Sequence, residues 1–422
     1  MSEAKYNLID YWKQLRKDQH LLIFTVNAFL VVFGYYIGNV LPVLFPIVKV
    51  LKMGVLIYAV GTQVVFHYNF PIGDKGMKMG WIYLYLALIL CTIPFSFDPT
   101  ESFSRYITYL GGIVYIALFS KYVFAKYKFQ DSVQLFSLIC VISYLLPVLV
   151  AIVRLPFLAS VQFQIYGDKA IARNLGFMSN NFGWAGTIVF MSFFMLLTNT
   201  IVANKVKWTF ISIMLFCVFM ILVSESRSSL LIMALSLMLI VGGPRVSVGY
   251  KALTVLAILG VFLVNLQFEL IDLDSTRFND KLLGDKTNLG KEFRVRVFEN
   301  TRNFFYFHQE YYFHGFGWGV FVPAYQQFVD STNDMDMHNT YLQLLYESGL
   351  FVFIVFLLVF FLPAAIKFFL YLRQYLVFLP FVILPYFENN LNSGQFVFFP
   401  FMFTLFYLSS YKPALWSKEA SV

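Results

Sequence analysis

The chain is 422 residues long, 59% hydrophobic and 20% aromatic, with 13% charged residues and a mean hydropathy of +0.70. A soluble domain carries about a quarter charged residues, so this composition excludes a water-soluble globular protein and points to repeated apolar spans. The net charge of +8 does not indicate nucleic acid, because most Lys and Arg fall in short segments between apolar runs, where they orient a chain in a bilayer.

The opening "MSEAKYNLIDYWKQLRKDQH" mixes acids with bases and lacks a small-residue cleavage site, so it reads as a retained cytoplasmic tail. Twelve apolar segments follow and predict helical spans near 21–42, 50–68, 80–97, 107–125, 132–153, 181–203, 208–224, 229–243, 251–269, 348–369, 374–388 and 395–411. With the N-terminus inside, the inner segments hold Lys75, Lys78, Lys121, Lys126, Lys128, Lys205, Lys207, Arg245, Lys251, Lys367, Arg373, Lys412 and Lys418. Only Lys49 and Lys52, in the first outer turn, break the pattern. Both termini are therefore expected in the cytoplasm. Cys91, Cys140 and Cys217 lie inside apolar runs and imply no disulfide.

The expected fold is an all-α polytopic membrane protein in three parts. Residues 1–270 form a transmembrane region of nine spans, 271–347 a large periplasmic loop domain between spans nine and ten, and 348–422 three further spans and a cytoplasmic tail. The middle segment holds eleven acids, seven bases and three of the five histidines. Its richness in Phe, Tyr and Trp argues for a folded cap rather than a disordered linker.

Polar islands carry the candidate chemistry. In "ARNLGFMSNNFGW" (172–184), Arg173, Asn180 and Asn181 sit at the outer surface, and turn formation accounts for the asparagines. In "VSESRSSLL" (223–231), Arg227 sits at or just below the membrane surface between two spans. It reads either as an anion-binding arginine or as a turn residue paired with Glu225 or snorkelling to head groups. In "GKEFRVRVFENTRNFF" (290–305), Arg294, Arg296 and Arg302 alternate with apolar residues, and Phe293, Val297 and Phe304 would share a helix face. That suits an amphipathic helix on the membrane surface, the reading periodicity favours, and it also suits a clamp for a diphosphate.

The glycines of "HGFGWGVF" (314–321) lack the strand and helix that frame a nucleotide loop. They are expected to turn the backbone tightly and let it approach a neighbour. In "DMDMHNTYLQLLYESGL", a helix starting near Asp336 or Met337 would align His338, Tyr341, Leu342 and Leu345 on one inward face. His338 is then either a hydrogen-bonded structural residue or a base open to substrate from outside, with Asn339 beside it. No metal site is expected: there is no HExxH, Cys pair or clustered carboxylate in the outer loops.

Taken together, these islands resemble the bacterial O-antigen ligase and O-antigen polymerase (Wzy-type) superfamily. The resemblance rests on Ser-Arg at 226–227, an arginine before an aromatic at 294–298, the Gly-x-Gly-x-Gly turn at 315–319, and "HNTYLQLLYESGL", similar to His-Asn-x-Tyr-Leu followed by Glu-x-Gly. "RNLGFMSNNFG" at 173–183 resembles an upstream motif. Phe298 stands where the family commonly has Trp or Tyr.

The resemblance implies a GT-C type glycosyltransferase of the bacterial inner membrane with its active site facing the periplasm. It would take glycan from undecaprenyl diphosphate, use no cofactor or metal, and invert at the anomeric carbon. Arg227 and Arg294 would bind the diphosphate and His338 would act on the acceptor hydroxyl. Arg173, Asn181, Arg296, Asn339 and Glu347 are secondary candidates. Implied partners are the lipid-linked oligosaccharide or polysaccharide, a glycan or lipid A–core acceptor, membrane lipids and a chain-length regulator. The expected activity is repeat-unit polymerisation in O-antigen or exopolysaccharide synthesis, with ligation to lipid A–core as the alternative. A transporter or flippase is a second alternative, but it would show repeated halves and charged or broken spans at mid-membrane, whereas here the charges gather at the outer surface.

Overall fold

In the computed structural model, the residues described are 7–40, 42–69, 79–128, 131–146, 148–149, 180–198, 203–223, 227–242, 293–328, 339–370, 376–386 and 398–410. Among them every regular element is helical. In chain order the helices are α1 (Leu8–Lys17), α2 (Gln19–Val40), α3 (Phe45–Asn69), α4 (Met79–Thr92), α5 (Pro99–Lys126) and α6 (Asp131–Leu146). Then follow α7 (Asn180–Thr198), α8 (Asn204–Val223), α9 (Arg227–Gly242), α10 (Phe293–Phe307), α11 (Tyr311–His314) and α12 (Phe321–Phe328). The last are α13 (Thr340–Phe356), α14 (Leu362–Leu370), α15 (Leu376–Tyr386) and α16 (Phe398–Ser410).

Among the described residues, four helical stretches are long and apolar enough to cross a membrane: Phe45–Asn69, Pro99–Lys126, Asn204–Ile221 and Thr340–Lys367. Seven shorter apolar helices stand at other positions where spans are predicted. The segment 251–269 lies outside the described residues.

Helix ends follow local chemistry. Asn7 caps α1 reciprocally with Asp10, each side chain accepting from the other's backbone N–H. Asp98 accepts from Glu101 N at 3.0 Å and Pro99 opens α5, a position where its missing N–H costs nothing.

The chain divides into two units, the first comprising residues 1–55, 133–291 and 373–384. Within it α7 runs beside α8. Gly186 makes this approach possible, because a Cβ there would already stand 3.2 Å from the Cys217 carbonyl oxygen. Phe193 and Phe210 pack at 4.2 Å across the same interface, and Trp184 is wholly buried. Cys140 and Cys217 are buried and Cys91 is exposed, with no disulfide among them.

The second unit comprises 56–132, 292–372 and 385–422. α4, α5, α13, α14 and α16 form its bundle. The hydroxyls of Tyr85 and Tyr109 share a hydrogen bond of 2.9 Å inside it, which satisfies two phenols that burial would otherwise penalise. Phe119 packs on Phe403, and Phe124 stacks on Tyr407.

The described part of the expected loop domain is built of helices joined by turns. α10, α11 and α12 gather Phe304, Phe305, Phe316, Phe321 and Tyr325 around Tyr346 of α13. Here the amphipathic reading of 290–305 needs correction over its described half. Phe304 and Phe305 face this aromatic core, not a surface, because α13 and the 315–319 turn supply them with protein partners.

Candidate functional site

Asn339 caps α13. Its side-chain oxygen accepts from Tyr341 N and Leu342 N, both at 3.0 Å, while its amide donates to the Tyr386 carbonyl at 3.1 Å. The first turn therefore begins at Thr340, later than the pattern predicts. Tyr341 is buried against Phe361 and Tyr386, and Leu342 and Leu345 pack against the aromatic core, so these three described members of the stripe face inward.

Glu347 lies two turns further along. One of its side-chain oxygens accepts from Gly319 N at 2.9 Å. The other accepts from Gln343 Nε2 at 2.8 Å and, at a longer 3.4 Å, from Phe321 N. The helix backbone reaches the same turn: Phe316 N donates to the Tyr346 carbonyl and Gly317 N to the Glu347 carbonyl, both at 2.8 Å. The 315–319 turn is thus latched onto α13 by main chain and side chain together.

Glycine is required on both sides of the latch. Gly315, Gly317, Gly319 and Gly349 all have φ between 71° and 118°, where a Cβ is strained. Space is closed as well. A Cβ at Gly315 would overlap the Glu347 backbone, one at Gly317 the Ser96 side chain, one at Gly319 the Arg105 side chain, and one at Gly349 the Phe313 carbonyl. The expectation that these glycines serve a close approach is met: Gly315 approaches the Glu-x-Gly of α13, Gly317 approaches Ser96 and Gly319 approaches Arg105.

Two participants carry no sequence signal of their own. The segment after α4 donates Phe97 N to the Phe316 carbonyl at 2.6 Å and brings Ser96 against Gly317. Arg105, exposed on the first turns of α5, pairs with Glu101 at 2.7 Å and covers Gly319. Such an exposed pair is worth about 0–1 kcal/mol, so it covers the turn without holding it. Beneath lies Trp318, 4.3 Å from Tyr109. Beyond the latch, the exposed Glu310 carboxyl is held below its ordinary range, first by its own backbone N–H and next by His308 at 3.2 Å.

Of the remaining predicted site residues, Arg173 and His338 lie outside the described residues. Asn181 is the second residue of α7, Arg227 the first of α9, and Arg294 and Arg296 fall in the first turn of α10. α10 and α13 are brought together by the aromatic core, so one unit contains both the arginine-bearing helix and the helix that follows His338. Among the described residues, no three His, Cys, Asp or Glu side chains are grouped so as to hold a metal ion.

Residues 212–357 match the family model described as O-antigen ligase. The matched segment runs from within α8 to just past α13, and so includes the latch and the four motifs from Ser-Arg onward. No curated protein matches the chain.

Proposed function

We propose that this member of the O-antigen ligase/polymerase superfamily is a membrane glycosyltransferase that moves glycan from undecaprenyl diphosphate to an acceptor hydroxyl at the periplasmic face. The observation that carries the reading is the family match over 212–357, which contains every residue assigned a main role. The chain on this reading has twelve spans, both termini in the cytoplasm, and a cap over 271–347 that works at the outer surface.

Arg227 and Arg294 bind the diphosphate. A guanidinium is permanently charged and forks onto phosphate oxygens, so it stabilises the negative charge that grows on the leaving group. His338 takes the proton of the acceptor hydroxyl as that oxygen attacks the anomeric carbon. The new C–O bond forms on the face opposite the one that breaks, the electron pair leaves with undecaprenyl diphosphate, and configuration inverts. This chemistry needs neither metal nor cofactor. Arg173, Asn181 and Arg296 supply further polar contacts, and Asn339 and Glu347 hold the start of α13 and the glycine turn in register.

The acceptor is read as another lipid-linked chain, making the protein a repeat-unit polymerase assisted by a chain-length regulator. A ligase differs only in taking lipid A–core as acceptor. Deleting the gene separates them: loss of a polymerase leaves core bearing a single repeat unit, whereas loss of a ligase leaves bare core and accumulated lipid-linked polymer. Complementation with His338→Ala should fail to restore long-chain polysaccharide while the variant inserts at the wild-type level. Restoration of wild-type chain lengths by that variant would remove His338 from the reaction.

A further inference from the structure

We infer that the elbow joining α10 to α11 is a membrane-contacting element, with its exposed aromatic side chains seated in the interfacial region of the outer leaflet. The sequence at the elbow is Tyr306-Phe307-His308-Gln309-Glu310-Tyr311-Tyr312-Phe313. Tyr306 is 73% exposed, Phe307 76% and Phe313 55%, and Tyr312 is exposed too. Four aromatic side chains open to water within eight residues is a costly arrangement for a cap in the periplasm. Each would expose apolar area worth roughly 25 cal/mol per Å² if covered. Scattered apolar residues on a surface need no explanation, but a contiguous group does.

What covers them is indicated by the helix beside them. The ring of Phe313 stacks on that of Phe351 at 5.6 Å, and Phe351 is itself 59% exposed. Phe351 heads a line of exposed apolar side chains, continuing through Ile354, Leu358, Leu362 and Ile366. Their spacing of three or four residues places them on one face of the stretch Thr340–Lys367, which is long and apolar enough to cross a membrane. A span's unburied apolar face meets lipid, so the elbow continues a lipid-facing surface rather than forming an isolated patch. Gly349, two residues before Phe351, holds the elbow there, since any Cβ on it would overlap the Phe313 carbonyl.

The residue types suit that depth. Amphipathic aromatics are enriched at the membrane–water boundary, and Tyr306 and Tyr312 can keep their hydroxyls in the headgroup layer while the rings are covered. His308, Gln309 and Glu310, exposed between the aromatic pairs, remain on the wet side. Sugar stacking is the competing use of exposed aromatics. Continuity with the exposed apolar stripe of the span, through the Phe313–Phe351 stack, favours lipid. Seated in this way, the elbow anchors the 315–319 turn close to the membrane surface.

The test is nitroxide accessibility in the full chain reconstituted in phosphatidylcholine–phosphatidylglycerol vesicles. Cys91→Ser removes the exposed thiol, and the buried Cys140 and Cys217 are retained and checked for absence of labelling. Labels are placed at Tyr306→Cys, Phe307→Cys and Phe313→Cys, with exposed Glu299→Cys on α10 as the aqueous reference. The expected result is high accessibility to oxygen and protection from a water-soluble nickel chelate at 306, 307 and 313, with the reverse at 299. Equal nickel access at all four sites overturns the proposal. So does protection that appears only when polysaccharide is added, which would assign the elbow to sugar. If Phe313→Cys does not fold, 306 and 307 decide the question, because their side chains have little packing to lose. The readout requires no transfer activity and stands apart from the catalytic proposal.

Discussion

Replacing Glu347 tests whether the glycine turn is held by a side chain or only by its own backbone. Glu347 and Gln343 are buried, and Glu347 accepts short hydrogen bonds from Gly319 N at 2.9 Å and Gln343 Nε2 at 2.8 Å. A buried donor that loses an acceptor costs about 1–3 kcal/mol. The bond from Phe321 N, at 3.4 Å, adds little. Gly319 is half-buried, so water recovers part of its loss. Glu347→Ala should therefore weaken the latch by about 3 kcal/mol, or about a hundredfold in its opening equilibrium at 1.4 kcal/mol per factor of ten. Glu347→Gln retains one acceptor oxygen and turns the other into an amide facing a donor, so it should fall between the two.

Hydrogen exchange on the purified full chain reads this locally, which suits a membrane protein whose thermal unfolding need not be reversible. Peptides covering 315–321 should exchange about a hundredfold faster in Glu347→Ala, while those from α5 and α16 hold the wild-type rate. Unchanged exchange over 315–321, or an equal rise across all three regions, refutes a latch built on Glu347.

Three further perturbations separate local from tertiary effects. Gly349→Ala should reduce thermal stability in detergent sharply, since φ is 78° and the new methyl would overlap the Phe313 carbonyl. Gly61→Ala in α3, which meets nothing within 4 Å, should be neutral or stabilising by up to about 1 kcal/mol; equal losses in the two would contradict the close approach. Tyr85→Phe strands the buried Tyr109 hydroxyl and should cost about 1–3 kcal/mol, measured as a shift in denaturation midpoint, whereas Tyr83→Phe on an exposed face of α4 should cost nothing measurable. Asn339→Asp retains the cap acceptor while Asn339→Ala loses it, so the alanine variant should be less stable by about 1 kcal/mol; equal stability would indicate that the bond to Tyr386, lost in both, is the one that matters.

Much of this protein is written in local composition. Apolar runs become helices because a backbone in lipid must satisfy its own hydrogen bonds, and that requirement depends only on the residues of the run. Caps are equally local: Asn7, Asp98 and Asn339 each bind N–H groups two or three residues away. The glycines at 315–319 likewise announce a tight approach, because no other residue accepts such dihedral angles without strain.

Which neighbour those glycines approach was decided only by tertiary packing. Gly319 and Glu347 are 28 residues apart, and nothing in their spacing marks Glu347 as the partner rather than as a reacting carboxyl group. Ser96, Phe97 and Arg105 join the same turn from still further away, without any motif. Periodicity gave Phe304 an apolar face but not what that face meets, since a stripe has the same pattern against lipid as against an aromatic core. Packing turned Phe304 inward onto Phe316 and left Phe307 and Phe313 outside. Side-chain chemistry along a helix is local, and so it is legible in sequence; the identity of the surface it meets depends on which distant segments the fold brings beside it.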